Sequence, residues 1–469
     1  MSLERQGFFS KQRRSSRTEL WRELLQLAWP LVVANSFWNI QLTIDRMFLG
    51  QYSTGALAAA IGVMGVYWTP MALLQQTAAY LMTFVAQYYG ANEHHKIGPA
   101  VWQAIYISVI GGLLFLGLIP CAGPLFRLMG HSPELRELEV QFFQALCYGA
   151  LPTALVAVAS SFYSGLGMTR MVIGMNAIGL IVNVGFDYLL IFGHGGFPAL
   201  GIQGAGYATA LASWASALYG LFLIFQKKYE LSYGLRRAWR WQRDLMYRYL
   251  RYGLPSGLQW ALEGLAFTAF LVLVGRMKQG EVALASSSIA VTVMMLAALP
   301  VMGMAQAASI RLGQCLGDSQ PEKAEAFAYG GLQISLVYIT ITGLSFLLFP
   351  GFYLSWFENS SSALLWDQVK VVVPYILRCV ALFVCFDCIN LIFSFALRGA
   401  GDTRFVSAVA LSLPWPLMVL PTWWVKDWEA SVYWSWAFVT VFVIIQALVF
   451  LFRFRQGKWK SMSVIHSPH

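Results

Sequence analysis

The sequence predicts an all-α polytopic membrane protein: twelve transmembrane helices in two pseudo-symmetric six-helix lobes, arranged as a parallel repeat, with both termini cytoplasmic. Three observations predict it. The first is composition: the 469 residues are 58% hydrophobic and only 12% charged, with a mean hydropathy of +0.59. A soluble domain runs nearer ~45–50% apolar and ~25% charged. So few ionic groups cannot coat a soluble fold of this size, which excludes a cytoplasmic enzyme and a disordered chain. The apolar runs are also roughly twice the ~10-residue alternating strands of a membrane barrel, which excludes that architecture. The second observation is an alternation of basic residues from one connection to the next, and the third is an internal repeat.

At ~20 residues per crossing, the expected spans are 24–49, 57–87, 99–120, 140–164, 170–193, 203–226, 252–275, 282–310, 326–350, 371–397, 405–425 and 431–452. Each must be a helix, because lipid offers an unpaired backbone group no partner. Grouping both chain ends with every second connection puts 24 of the 32 Lys and Arg on one side and six on the other. Arg46 and Arg378 fall within spans. That split obeys the positive-inside rule and places the termini in the cytoplasm. It also accounts for the net charge of +10 without any nucleic-acid partner. The expected organisation is a cytoplasmic segment 1–23, an N-lobe 24–226 with helices 1–6, a basic inter-lobe loop 227–251, a C-lobe 252–452 with helices 7–12, and a cytoplasmic tail 453–469. The basic, polar stretch through Arg22 reads as no cleavable signal peptide.

The repeat follows the same division. Pro30 opens span 1 and Pro255 opens span 7; at the same offset, Gly55, Ala58 and Ala60 fall on Gly280, Ala283 and Ala285. Gly90 and Lys96 then match Gly317 and Lys323, and Gly165-Leu166-Gly167-Met168-Thr169-Arg170 matches Gly399-Ala400-Gly401-Asp402-Thr403-Arg404. Equivalent points are six spans apart, so the halves share one orientation about an axis along the membrane normal. Two such lobes facing a cleft form the architecture of an alternating-access transporter. A proline inside a helix removes one backbone hydrogen bond, so Pro30 and Pro255 are the expected hinges. Most of the six cysteines lie in or at the ends of apolar runs, with no disulfide framework. Cys385 and Cys388 have no histidine nearby and read as packing residues rather than metal ligands.

Of the 22 acids, four fall well inside spans: Asp45, Asp187, Glu263 and Asp387. A carboxylate at bilayer depth costs on the order of 2.5–3.5 kcal/mol, so each needs a partner, a proton or water. Asn183 and Asp187 lie four apart, as do Gln259 and Glu263, so each pair shares a helix face. Asp387, Asn390 and Ser394 line one side of span 10. Such oxygen-rich stripes suit a hard cation such as Na⁺, or a carboxyl group that takes up H⁺. They also suit plain interhelical hydrogen bonding, and spacing alone leaves both open. Trp38, Tyr67 and Trp260 lie near these acids in sequence, where aromatic faces could hold a lipophilic cation. The alternative for any of them is an anchor at the lipid interface.

These residues resemble a known family. Trp29-Pro30, Ile44-Asp45-Arg46-Met47-Phe48-Leu49-Gly50, Gly253-Leu254-Pro255 with Glu263 downstream, and Phe386-Asp387 ahead of Leu397-Arg398-Gly399-Ala400-Gly401-Asp402-Thr403 look like the multidrug and toxic compound extrusion (MATE) family. The resemblance runs from about residue 20 to 455. It implies export of organic cations and other drugs in exchange for Na⁺ or H⁺, with no cofactor. Asp45 matches the first-helix acid of the family, Glu263 and Asp387 match acids of its NorM-type branch, and Asn183 and Asp187 match its DinF-like branch. A Na⁺ site would then use Asp45, Asn183 and Asp187. The expectation is a monomeric, multi-pass antiporter of a bacterial inner membrane, surrounded by membrane lipid. It is not an enzyme: the chain has no H-E-x-x-H, no G-x-S-x-G and no phosphate-binding G-x-x-x-x-G-K-[ST]. The alternative is a lipid-linked saccharide flippase of the same wider superfamily. Its anionic cargo calls for Arg or Lys in the cavity, and the two arginines within spans, Arg46 and Arg378, lie near outer ends.

Overall fold

The computed structural model describes residues 17–358 and 363–465, and every regular element among them is helical. The main helices are α1 (Arg17–Tyr52), α2 (Thr54–Gly90), α3 (His94–Arg127), α4 (Pro133–Gly165), α5 (Arg170–Phe192) and α6 (Ile202–Ile224). After a short helix at Lys227–Tyr233 come α7 (Arg243–Gly275), α8 (Gly280–Gly317), α9 (Pro321–Leu348), α10 (Leu365–Ala400), α11 (Thr403–Val425) and α12 (Ser431–Arg455). The eleven from α2 onward are long and apolar enough to cross a membrane. Twelve were expected, and the difference is α1. Its 36 residues suffice in length, but Asn35, Ser36, Asn39, Gln41, Thr43, Asp45 and Arg46 make its second half polar.

Several helices overrun their expected limits. α1 is already helical at Arg17, ahead of its expected limit, and its Leu20 and Leu24 are buried against the second half of the chain. α7 begins at Arg243, inside the stretch expected to be a loop, and buries Leu245, Met246 and Tyr249 in the core of the first half. α4 begins at Pro133, where the Ser132 hydroxyl accepts the Leu135 N–H at 3.3 Å and caps an otherwise unpaired donor. The basic residues Arg5, Lys11, Arg13 and Arg14 lie outside the described residues. α1 and α7 run unbroken through Pro30 and Pro255, whereas the proline cluster of α11 opens a π turn at Trp415–Val419.

Helix packing repeats between the halves. α4 contacts α2, α3 and α6, and α10 contacts α8, α9 and α12; α1 pairs with α5 as α7 pairs with α11. Across the halves α1 packs on α8 and α7 on α2, which are again equivalent pairs. The first turns of α1 and α7 are thus exchanged, each seated in the core of the opposite half. The end of the bundle where α1 begins and α12 finishes is called the near end below.

The repeated G-x-G acquires a physical reason at that end. A Cβ on Gly165 would strike Val85 and the Met82 carbonyl, and one on Gly399 would strike Ser309. The second glycines, Gly167 and Gly401, hold φ of 78° and 109° at the turns into α5 and α11, where other residues are strained. Nearby, α2 and α8 cross at Gly90 and Gly317. A Cβ on Gly90 would overlap the Gln314 carbonyl oxygen, and one on Gly317 the Gln87 carbonyl oxygen. Gly90→Ala is therefore expected to destabilise the protein by about 1–3 kcal/mol, as overpacking does. Thermal unfolding of the purified protein checks this, and a variant as stable as the parent would contradict so close a crossing.

Candidate ion and cargo site

The α1–α5 contact brings together three of the residues singled out from sequence. Asn183 and Asp187, one turn apart on α5, are fully buried, and Asp45 of α1 meets both. The Asn183 amide sits between the carboxylates: with its NH₂ group turned inward it donates to Asp45 Oδ1 at 2.8 Å and to Asp187 Oδ2 at 3.3 Å. Turning the amide over would present its oxygen to the same two groups. The carboxyls of Asp45 and Asp187 are thus neighbours, both within hydrogen-bond reach of one amide. Two carboxylates so close repel each other when both are ionised, and a shared proton or cation relieves that repulsion. Asp187 Oδ1 has no hydrogen-bond partner, which leaves a buried acceptor for either one.

Asp45 also belongs to the wall of a cavity within the first half, with Arg46, Trp38, Tyr67, Trp68 and Gln75. Trp38 is 40% exposed, and its ring lies 6.0 Å from that of Trp68. The Tyr67 hydroxyl donates to the Leu146 carbonyl at 3.3 Å, which fixes the ring against α4. One carboxylate, Asp45, is thus common to the carboxyl–amide cluster and the aromatic cavity. Tyr163 of α4, by contrast, is fully buried against Phe162 and Tyr229.

The second half holds a separate polar cluster. Glu263 Oε1 accepts from Gln446 Nε2 of α12 at 2.9 Å and from Gln259 Nε2 at 3.3 Å. Asp387 Oδ1 accepts from Asn390 Nδ2 at 3.0 Å. Among the described residues no hydrogen bond joins Glu263 to Asp387. Gln259 Oε1 and Asn390 Oδ1 lack partners, so buried acceptors are left over here too. Ser394 does not extend the stripe: its hydroxyl donates to the Leu391 carbonyl at 3.1 Å on its own helix. Nor does Trp260 share the cavity of Trp38 and Tyr67. Its ring stands 5.6 Å from the guanidinium of Arg398 and edge-on to Phe395 at 6.4 Å.

Three residues of note escaped the sequence reading. Arg398, expected in a cytoplasmic connection, is buried near the end of α10 and lies 4.0 Å over the Phe395 ring. Gln446, the partner of Glu263, is the one carboxamide in the apolar run 431–452, and that solitude was the available signal. Glu139 is fully buried on α4 beside His131, whose Nδ1 lies 2.8 Å from its Oε1. It was expected just outside a span, and the earlier start of α4 draws it in.

A family model described as MatE matches residues 30–189 and 255–424. The two segments coincide with the two structural halves. The chain is 28% identical over 398 residues to a "Probable multidrug resistance protein NorM" of Shewanella oneidensis, covering 84% of each. It is 24% identical to the protein of the same description in Thermotoga maritima, covering 95% of each. Against "Multidrug resistance protein PmpM" of Pseudomonas aeruginosa the identity is 29%, covering 85% of this chain and 82% of that protein. Among solved structures, the fold is shared with the "Outward-facing conformation of a multidrug resistance MATE family transporter of the MOP superfamily". There the TM-score is 0.84 at 21% identity, covering 95% of this chain and 98% of that one. A MOP superfamily transporter from Pyrococcus furiosus, whose description reports a reverse polarity of its binding pocket, also gives 0.84 at 21% identity, covering 94% and 97%.

Proposed function

The chain belongs to the MatE family, and from that premise we propose that it is a secondary active multidrug antiporter of a bacterial inner membrane, exporting organic cations in exchange for Na⁺ or H⁺. The observation that carries this reading is the Asp45–Asp187 carboxyl pair joined through Asn183, with Asp45 also on the wall of a cavity lined by Trp38, Tyr67 and Trp68. When both carboxyls are ionised and the amide oxygen faces them, the oxygens suit Na⁺. When a proton bridges the pair, the amide turns and donates. Na⁺ and H⁺ therefore compete for one place. Asp45 also faces the cargo cavity, where rings attract a desolvated cation by ~2 kcal/mol. A bound ion and a cationic drug then draw on the same carboxylate, and entry of one favours release of the other. The curated relatives described as multidrug resistance proteins support this cargo class.

In this reading α1 is the twelfth span, the lobes are 24–226 and 252–452, and the near end faces the cytoplasm. Bending of α1 and α7 at Pro30 and Pro255 accompanies exchange between the two accessible states. The protein works as a monomer. Arg46 on the cavity wall suits the alternative cargo, an anionic lipid-linked saccharide.

The deciding experiment uses proteoliposomes with gradients of Na⁺ and H⁺ imposed separately, and a fluorescent organic cation inside or outside. Transport that follows at least one gradient is expected. A protein that moves no organic cation under either, yet scrambles a labelled lipid-linked saccharide, would be a flippase. For topology, a cysteine placed at Ser232, in a background without native cysteines, is expected to resist an impermeant thiol reagent in intact cells. Labelling there would invert the orientation.

A further inference from the structure

At the near end, two glutamines join the halves at equivalent points of the repeat. Gln87 of α2 donates through Nε2 to the Gly399 carbonyl at 3.0 Å. Gln314 of α8 donates to the Gly165 carbonyl at 2.9 Å. Both acceptors are the first glycine of a G-x-G turn, and both glutamines are buried. The two differ in what the other amide atom does. Gln314 Oε1 accepts from Arg311 of its own helix at 3.1 Å. Gln87 Oε1 accepts the backbone N–H of Val464 at 3.0 Å, from the segment that follows α12.

That segment crosses from one half to the other. It leaves α12 at Gly457, with φ of 72°, and is pinned to the second half by Trp459, which stacks on Phe454 at 4.6 Å. Lys460 pairs with Glu325 of α9, whose carboxylate pushes the lysine up from its ordinary range. Four and five residues on, Val464 and Ile465 are 0% and 3% exposed within the core of the first half. Arg248 of α7 donates to the Ile465 carbonyl at 2.7 Å. Val464 also lies close to Gly401, at the turn after α10.

We infer that residues 458–465 are a latch that holds the near end closed, with Gln87 as the positioning residue that seats it. The seat is made by α2, α7 and the α10–α11 turn together, so it exists only while the two halves meet at this end. A segment that binds one of two states shifts the equilibrium toward that state by its differential affinity. The latch therefore favours the state open at the far end, and it acts on one of the two glutamine locks only. The functional consequence rests on the alternating-access reading above, whereas the closure itself does not.

The test is a distance measurement between spin labels at His95 and Glu322, exposed and equivalent sites in the two halves. It uses the full chain in lipid nanodiscs with the six native cysteines replaced. The parent should give one short distance. Val464→Asp should add a longer one and raise the open-to-closed ratio about tenfold, as expected when a carboxylate cannot enter the apolar seat. Val464→Thr, which keeps the volume and adds one buried hydroxyl, should move the ratio less and in the same direction. In a Gln87→Ala background either change should add little, because the seat is already lost; in Gln314→Ala it should act in full. An unchanged distance in both Val464 variants overturns the latch, and an equal shift with and without Gln87 overturns the role of that residue. A normal shift in a protein that transports nothing leaves the latch standing and removes the antiporter reading instead.

Discussion

Asp187→Asn is expected to lower Na⁺ affinity in the first half at least about 100-fold, since loss of even a ligand's supporting partner costs 10–100-fold. It is also expected to leave any residual efflux insensitive to pH. Asp187 is fully buried, and one of its oxygens has no partner, so the carboxylate has no other group to satisfy at that atom. With asparagine in its place a single carboxylate remains, Asp45, already in contact with Asn183 and open to the cavity. Na⁺ then loses half of the charge that held it, and the proton loses the second carboxyl group that bridged it. Calorimetric Na⁺ titration at high and low pH, on the parent and the variant, separates the outcomes. In the parent, Na⁺ binding should weaken as pH falls, because protons and Na⁺ compete. Binding that ignores pH in the parent, or survives in Asp187→Asn and Asp45→Asn alike, would move the ion site to Glu263 and Asp387.

The second large effect is expected at Glu263, where two substitutions part company. Glu263→Gln keeps an oxygen in reach of Gln446 and Gln259, so the link between α7 and α12 should persist and thermal stability should stay level or rise. Efflux should nevertheless fall by at least about tenfold, because the switchable charge is gone. Glu263→Ala instead strands two buried amide donors, each costing about 1–3 kcal/mol, and should lower the unfolding temperature as well. Measuring both properties on both variants distinguishes a working acid from a structural one. Parental efflux in Glu263→Gln would reduce Glu263 to a hydrogen-bond acceptor.

The acids were legible in the sequence because charge inside an apolar run is costly and conspicuous; their pairings were less so. Nothing in the spacing says that α1 lies against α5 rather than α6, so Asp45 could be named but its contact with Asp187 could only be inferred from the family. Ser394 looked like part of a stripe, yet a helical serine readily bonds a carbonyl one turn back. Arg398 looked like a loop residue because charge usually marks one. The ring of Phe395 beneath it and the length of α10 reverse that expectation. Gln446 carries no charge and was passed over. The twofold repeat, by contrast, was plain in the glycines, because backbone crossings tolerate no substitute at Gly90, Gly165, Gly317 and Gly399.

The exchange of α1 and α7 between the halves sets an order of events at the ribosome. Asn35 of α1 donates to Gln306 of α8 across 271 residues of chain. At about 5–20 residues per second, α1 emerges some tens of seconds before the helix that covers it. During that wait Leu20, Leu24, Leu27 and Leu31 lack the partners that later bury them, and the polar second half of the helix has little to gain from lipid. A helix made long before α8 is thus among the last to be fixed. An N-terminal half synthesised alone should be a poor membrane protein, and co-synthesis of the C-terminal half should rescue it.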